Sequence, residues 1–168
     1  MAVGDALARI LEENERYAAA QHRRAASNRP ASGLAVIACM DARLDVALAL
    51  GLAPGDAHVL RNAGGLVTDD VIRSLVISQQ VVGTDGILII QHTNCGLEGA
   101  DEPAIRAALA SDLGLDPATV TLDLGAFADA DAMLAAQLER LRTDPLLRRV
   151  PVHAMRFDID TGELTLLD

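Results

Sequence analysis

The chain has very few aromatic residues: no tryptophan, one tyrosine and two phenylalanines among 168 residues. Hydrophobic residues still make up 51% of the sequence, so the core must be built from alanine, valine, leucine and isoleucine. A chain of this length can form one domain with a sizeable buried core. Such an aliphatic composition is typical of helices packed on a sheet rich in valine and isoleucine.

The sequence also lacks long apolar runs and clusters of basic residues. No run approaches the roughly 18 apolar residues that cross a bilayer, and the N-terminal segment carries acids from Asp5 onward, unlike a signal peptide. We therefore expect a cytoplasmic protein with no membrane partner. The net charge of −10 argues against nucleic acid as a partner, because binding to a phosphate backbone depends on lysine and arginine.

Cysteine is scarce as well, with only Cys39 and Cys95 in the chain. In a reducing compartment two cysteines rarely form a structural disulfide. Metal binding or thiol reactivity is the better explanation for both of them.

The order of the predicted elements favours an α/β fold with a central, mainly parallel β-sheet flanked by helices. A long N-terminal helix is predicted from its cap at Asp5 to about Ser27, and the chain closes with a strand or hairpin after Pro151. We expect one domain over 1–168, in which 1–30 form an N-terminal helical arm. Strands are predicted at "GLAVIACM", "AHVLRN" and "GILIIQH", helices at 44–52, 68–83, 103–110 and 130–142, and a loop or short strand at 119–125.

Three potential metal ligands follow the ends of two predicted strands. Cys39 ends the first strand, and His92 and Cys95 lie at and just past the end of another. The carboxyl ends of parallel strands meet at one edge, where α/β proteins bind ligands. Two thiolates and one imidazole with an open fourth position form a known catalytic zinc set. The alternative is that both cysteines are small buried hydrophobic residues and His92 is a loop residue.

Asp41 and Arg43 alternate with Cys39, so on an extended strand end the three side chains would point the same way. Arg43 would keep the Asp41 carboxylate ionised beside the metal. Asp41 would then either orient a zinc-bound water or hydroxide or close the fourth zinc position itself. Zinc lowers the pKa of bound water to roughly 7 and so makes a nucleophile. The alternative is a surface ion pair of little energetic value.

These motifs resemble a known family. "CMDAR" and "HTNCG" are similar to the C-x-[DS]-x-R and H-x-x-C-G signatures of the β-class carbonic anhydrases, and "RNAGGLVTDDVIRSL" resembles the segment between them. The short chain resembles the small bacterial and archaeal type. The resemblance implies reversible hydration of CO₂ to bicarbonate and a proton by a zinc-bound hydroxide. The implied site residues are the zinc ligands Cys39, His92 and Cys95, the catalytic dyad Asp41 and Arg43, and Gly96, whose N–H would help to hold the substrate.

The resemblance also implies a homodimer or dimer of dimers, in which the N-terminal helix wraps around the partner. A pocket for apolar CO₂ could be aliphatic, lined by residues such as Val67, Ile72 and Leu97. The Gly64–Gly65 turn lacks a phosphate-loop pattern, and we expect its backbone to pack beside the metal.

Other functions remain compatible with the same residues. The same zinc site could hydrolyse CS₂ or COS. A non-catalytic zinc-binding or sensing domain would be favoured if Asp41 occupied the fourth zinc position permanently. A nucleotide-binding α/β module is disfavoured, because the chain lacks the glycine fingerprint of such domains.

Overall fold

A computed structural model describes residues 3–20 and 27–167 of the chain, and every structural statement below concerns these residues. Two single 3₁₀ turns, Ala63–Gly65 and Pro117–Thr119, accompany the regular elements. The helices are α1 Val3–Ala20, α2 Val46–Leu50, α3 Asp69–Gln80, α4 Glu102–Leu113 and α5 Ala130–Thr143, and the strands are β1 Leu34–Cys39, β2 Ala57–Asn62, β3 Gly86–His92, β4 Val152–Phe157 and β5 Leu164–Leu167.

The five strands form one sheet in the order β2-β1-β3-β4-β5. All neighbours are parallel except β4 and β5, which form an antiparallel C-terminal hairpin. The predicted α/β fold with a mainly parallel sheet is therefore confirmed. β3 is buried along its whole length, and β1 is buried from Ala35 to Cys39, as continuous apolar strands in a parallel sheet should be.

The sheet separates two apolar layers. Ile37 and Ile89 face the layer that contains residues of α3 and α5, whereas Val36 and Ile90 face the opposite layer with Leu44 and the first residue of α2. Successive residues of one strand point to opposite faces, so β1 and β3 are covered on both sides. Their carboxyl ends are thus firmly placed, and they carry the candidate site.

Several predicted helix boundaries differ from the structure. α1 already includes Val3, so Asp5 lies in its first turn and not at its cap, and the predicted end of this helix falls on 21–26, outside the described residues. α3 is capped by Thr68 as predicted but ends at Gln80, before Gly83. α4 extends to Leu113, beyond its predicted end at Ala110. The segment 119–125, predicted as a loop or short strand, forms no strand, and the nearest pairing is one bridge between Glu98 and Phe127.

α1 differs from the other α-helices because none of its residues is buried. Val3, Leu7, Ile10 and Leu11 are each more than half exposed, and their spacing places them on one face of the helix. Within the described residues, no helix combines the length and the apolar character that a membrane span requires.

Candidate metal centre

The structure brings the three predicted ligands together. Cys39 is the last residue of β1, His92 is the last residue of β3, and Cys95 follows three residues later. Because β1 and β3 are parallel neighbours, their ends meet at one edge of the sheet. The two sulfur atoms and one ring nitrogen of His92 all lie within 4.8 Å of one another, and all three residues are buried. This group could hold one metal ion.

The orientation of His92 fits a metal ligand. Its Nδ1 lies 2.9 Å from the carbonyl oxygen of Thr93, and since a carbonyl only accepts, Nδ1 carries the proton. The neutral ring then presents the lone pair of Nε2, a tautomer that metal-bound histidines commonly adopt. Among the described residues, Nε2 is the buried side-chain nitrogen or oxygen without a hydrogen-bond partner. Such an atom is costly to leave unpaired, so a cation beside it has a clear physical reason.

The donor set itself favours zinc. Two thiolates and one imidazole match a known three-ligand zinc site with an open fourth position. Burial, with a smaller contribution from Cys39, raises the pKa of the Cys95 thiol. Because the thiolate is the ligand form, a bound cation acts in the opposite direction, and binding releases protons. The residues present therefore fit a zinc ion.

Asp41 lies beside these ligands, but in a turn and not on a strand. β1 ends at Cys39, and the Leu44 N–H donates to the Asp41 carbonyl at 3.1 Å, so the predicted extended backbone through Arg43 is wrong. The predicted contact still forms. The Arg43 backbone N–H, Nε and Nη2 donate to the Asp41 carboxylate at 2.9, 3.0 and 2.7 Å.

These hydrogen bonds from Arg43 hold the pKa of Asp41 well below its usual range. Asp41 is therefore ionised near neutral pH and acts only as a hydrogen-bond acceptor. Its Oδ2 lies 4.0 Å from the Nε2 of His92, too far for a hydrogen bond but adjacent to the candidate metal position. Arg43 also donates from Nη2 to the Asn94 carbonyl at 3.0 Å and so connects the two segments of the centre.

Arg61, on the neighbouring strand β2, also contacts the centre. Its Nε donates to the carbonyl of Cys39 at 2.8 Å, and its Nη2 donates to the carbonyl of Asp41 at 2.7 Å. This residue was not predicted from the sequence. The available signal was a long cationic side chain at the end of a predicted strand, just before the Gly64–Gly65 turn that was predicted to pack beside the metal.

The backbone of the Gly64–Gly65 turn packs beside the metal centre, as predicted. Gly65 has φ +62°, and a Cβ at this position would lie 2.8 Å from the backbone nitrogen of Cys39. Buried Gln91, the residue before His92, donates to the Gly64 carbonyl at 3.2 Å. Only glycine allows the two backbones to approach this closely.

A cavity of about 520 Å³ opens beside the two cysteines and Asp41. The expectation of an aliphatic lining is right for Leu97. It is wrong for Val67 and Ile72, which pack in the buried layer against the sheet. The remaining lining residues are small or apolar and include the predicted substrate-binding Gly96: Met40, Ala42, Ala63, Gly64 and Gly96.

Comparison with known proteins identifies relatives with two recorded activities. The sequence model of the carbonic anhydrase family matches residues 34–164. "Beta-carbonic anhydrase 1" of Mycobacterium tuberculosis is 40% identical over 136 residues, which cover 80% of this chain and 82% of the relative. The "carbon disulfide hydrolase" of Acidithiobacillus thiooxidans is 42% identical over 147 residues, which cover 77% of this chain and 74% of the relative.

Solved structures agree with this result. A carbonic anhydrase from Streptococcus mutans superposes with a TM-score of 0.89 at 37% identity, covering 100% of this chain and 99% of the other. A tetrameric β-carbonic anhydrase from Sordaria macrospora has the same fold, with a TM-score of 0.67 at 20% identity and 97% coverage of both chains. Similar structures thus include an oligomeric form.

Proposed function

The chain is an enzyme of the β-carbonic anhydrase family, and from this premise we propose that it catalyses the reversible hydration of CO₂ to bicarbonate and a proton with bound zinc. One observation carries the proposal. A buried group of Cys39, His92 and Cys95 lies directly beside an ionised Asp41 that Arg43 holds in place. Metal ligands, a fixed acceptor and a small apolar cavity are the parts that this reaction needs.

The zinc ligands in this proposal are the two cysteine thiolates and the Nε2 of His92. Zinc in such a site is a Lewis acid that makes water nucleophilic near neutral pH. The Nδ1–H bond to the Thr93 carbonyl keeps the imidazole in the ligating tautomer. The segment from His92 to Cys95 thus supplies two ligands from one short turn, and Cys39 of β1 supplies the third.

Asp41 and Arg43 form the catalytic dyad in this proposal. An ionised Asp41 can only accept, so it accepts a hydrogen bond from the reacting water and directs a lone pair of that water at the CO₂ carbon. Arg43 fixes the carboxylate through three hydrogen bonds. Charge-assisted bonds of this kind are stronger and more directional than neutral ones.

The cavity suits the substrate. CO₂ is small, linear and apolar, and the side chains of Ala42, Ala63 and Leu97 along the cavity are aliphatic. We assign the backbone N–H of Gly96 to a substrate oxygen, because Gly96 lines the same cavity next to Cys95. The N–H would stabilise charge that develops on that oxygen, as oxyanion-binding donors do.

Oligomerisation and location complete the proposal. The exposed apolar face of α1 needs a cover, and we infer that the arm 1–30 wraps around a second copy in a homodimer or a dimer of dimers. A cytoplasmic location suits two thiols that must stay reduced to bind zinc.

The test is stopped-flow CO₂ hydration by protein of known zinc content, from about pH 6.5 to about pH 9, which brackets the expected water pKa. Asp41→Asn should keep its zinc and lose activity by about 100-fold, because the reacting water loses its charged acceptor and a misplaced reacting group can cost about that much in rate. Asp70→Asn is the matched control, because Asp70 also pairs with an arginine, Arg73, but on an exposed surface. Full activity in Asp41→Asn would exclude the dyad.

The pH profile resolves the role of Asp41 further. Activity across the whole range indicates that Asp41 stays with Arg43, as in this structure. Activity that appears only at high pH indicates that Asp41 occupies the fourth zinc position at lower pH. No hydration at any pH, with one zinc per chain, would contradict the proposed reaction.

CS₂ or COS hydrolysis is the second candidate, favoured by the carbon disulfide hydrolase that is 42% identical to this chain. CS₂, COS and CO₂ are all linear triatomic molecules, and the aliphatic cavity does not distinguish them by polarity. Sulfide release from CS₂ and COS, measured beside CO₂ hydration on the same zinc-loaded sample, separates the two activities. Sulfide release without CO₂ hydration would favour the second candidate.

A further inference from the structure

We propose that Arg61 is a positioning residue for this reaction, which sets the places of Cys39 and Asp41 through their backbone carbonyls. The inference rests on the proposed function, because the groups that Arg61 positions are the proposed ligand and the proposed acceptor. Arg61 itself needs no contact with the metal or the substrate. Its role follows from where the backbone of β1 leaves the sheet.

The hydrogen-bond ladder of the sheet ends on β1 next to the residues that are proposed to take part in catalysis. Cys39 is the last residue of the strand, and the Met40 N–H makes one more bond, to the Asn62 carbonyl at 2.8 Å. Beyond this bond the chain turns, and the ladder no longer fixes the peptide groups. Arg61 reaches across from β2, where its backbone pairs with Ala38.

The guanidinium of Arg61 supplies hydrogen bonds to this segment where the ladder of the sheet has ended. Nε binds the Cys39 carbonyl at 2.8 Å, and Nη2 binds the Asp41 carbonyl at 2.7 Å. The planar guanidinium holds its N–H donors in a fixed relation to each other. One side chain therefore fixes two carbonyls that are two residues apart and spans the residue between them.

The Asp41 carbonyl is held from two sides. It accepts from Arg61 at 2.7 Å and from the Leu44 N–H of its own turn at 3.1 Å. With this peptide fixed, the direction of the Asp41 side chain depends only on its own torsions, and Arg43 fixes those. The two arginines thus have separate roles, since Arg61 holds the backbone of Asp41 and Arg43 holds its carboxylate.

Loss of Arg61 should therefore act on catalysis more than on folding. Arg61 is an exposed residue of an edge strand, and Cys39 keeps its place in β1 without it. A misplacement of about 1 Å in a reacting group can cost about 100-fold in rate. Lysine would carry the charge but lacks the fixed fork, so it should restore only part of the function.

The experiment compares Arg61→Gln and Arg61→Lys with the control Arg73→Gln, which removes an exposed arginine of α3. Zinc content, kcat, KM, melting temperature and amide hydrogen exchange are measured on each full-length protein, together with the absorption spectrum after cobalt substitution. For Arg61→Gln we expect one metal per chain, kcat lower by about 10- to 100-fold and a nearly unchanged KM. Arg61→Lys should lie between Arg61→Gln and the wild type, and Arg73→Gln should match the wild type.

Two readouts do not depend on turnover. Amide exchange over Met40–Leu44 should be faster in Arg61→Gln than in the wild type, with no change elsewhere in the sheet. The cobalt spectrum should change, because the metal reports the position of Cys39 and the groups near it. Wild-type exchange, spectrum and kcat in Arg61→Gln would overturn the inference. So would a loss of kcat that matches a loss of folded protein.

The failure of this inference can be distinguished from the failure of the proposed function. If the wild type shows no CO₂ hydration, the function is wrong, and exchange and cobalt spectra still decide whether Arg61 positions the centre. If the wild type hydrates CO₂ and Arg61→Gln equals it in every readout, only the role of Arg61 is wrong.

Discussion

The metal edge of the sheet, defined as Cys39–Arg43 together with His92–Leu97, contrasts with helix α1. The three candidate ligands of the metal edge are buried, and the edge is held within one chain by hydrogen bonds from Arg61 and Arg43. α1 buries none of its residues, although its apolar residues form a continuous face. Both regions carry groups that are costly to leave without a partner.

The contrast lies in what each region needs. At the metal edge the unpaired group is the Nε2 of His92, beside two thiols, and a single cation satisfies all three. On α1 the apolar face consists of exposed hydrocarbon side chains, and only contact with another apolar surface removes these side chains from water. Under the proposed function, one region would be completed by an ion and the other by a second protein chain. Variants in the two regions should accordingly separate metal binding from assembly.

The largest effect is expected from Cys39→Ser. Serine is a much weaker zinc ligand than the cysteine thiolate it replaces. Even residues that only hydrogen-bond to a metal ligand contribute about 10- to 100-fold to metal affinity. We expect most of the zinc to be lost after dialysis, with the melting temperature falling to that of chelator-treated wild type, since metal binding is coupled to folding. Zinc is measured by atomic absorption and the melting temperature by calorimetry.

His153→Gln is the control for Cys39→Ser, because His153 is an exposed residue of β4 far along the strand from the metal edge. It should keep one zinc per chain. Full zinc occupancy in Cys39→Ser would show that Cys39 is not a ligand.

The next largest effect is expected from Gly65→Ala. The added methyl group would lie 2.8 Å from the nitrogen of Cys39, at a backbone φ of +62°. Left-handed strain and overpacking together should destabilise the protein by about 2–4 kcal/mol, measured by urea unfolding of the zinc form. Gly51→Ala is a matched control, with φ +65° but no atom within 4 Å of the new methyl group.

Gly51→Ala should show the strain alone, about 1–2 kcal/mol. The difference between the two alanine variants then measures the close approach to Cys39. Equal losses in the free energy of unfolding would show that the close approach of Gly65 to Cys39 makes no contribution of its own.

A smaller effect on the fold, but a clear effect on assembly, is expected from the double variant Leu7→Gln and Ile10→Gln. Both side chains lie on the apolar face of α1 and are 57% exposed. Their replacement should weaken the dimer and leave the zinc content unchanged, as sedimentation velocity and metal analysis can measure. Arg9→Gln, on the opposite face of the helix, should leave the dimer intact. A dimer of wild-type strength in the double variant would exclude this face from the interface.

The smallest effect is expected at the turn between β4 and β5. This turn is exposed, as α1 is, but hydrogen bonds within the same chain hold it in place. The Asp158 carboxylate accepts from the backbone N–H groups of Thr161 and Asp160, both at 2.9 Å. These bonds, with that of Thr161 the larger cause, lower the pKa of Asp158. A lowered pKa stabilises the fold above the unfolded-state value of about 3.9, and this contribution is lost as the pH falls below it.

Asp158→Ala should therefore melt slightly below the wild type at pH 7, and the difference should shrink as the pH is lowered from about 4. Asp160→Ala removes a neighbouring carboxylate and is the control for charge alone. A difference that grows in acid would contradict a lowered pKa for Asp158.

Much of the fold could be predicted because its signals are local. The continuous apolar runs that end in Cys39 and His92 are typical of buried parallel strands, and both are strands in the structure. Cys39, His92 and Cys95 lie together because parallel strands share an edge, so the positions of the strand ends predicted that these three side chains would meet. The cap of α3 at Thr68 was also readable from the sequence.

One feature that was missed rests on a local hydrogen bond, and the others depend on tertiary contacts that no local pattern records. The turn at Asp41 forms because the side chain of Asp41 accepts from the Arg43 N–H, which competes with extended backbone. Arg61 reaches Cys39 only because of the register between β1 and β2. Val67 and Ile72 looked suitable for the cavity, yet they pack in the buried layer beside it.

Cys39 ends β1, whereas His92 and Cys95 lie at and just after the end of β3, and this arrangement has a consequence for the folding pathway. In an unfolded chain only His92 and Cys95 are close together in sequence, and the pairing of β1 with β3 places Cys39 beside them without a further loop-closure cost. Tight zinc uptake should therefore follow the pairing of the central strands and report when it is complete. Under the proposed function, retained zinc would therefore distinguish chains whose central strands have paired from chains whose strands have not.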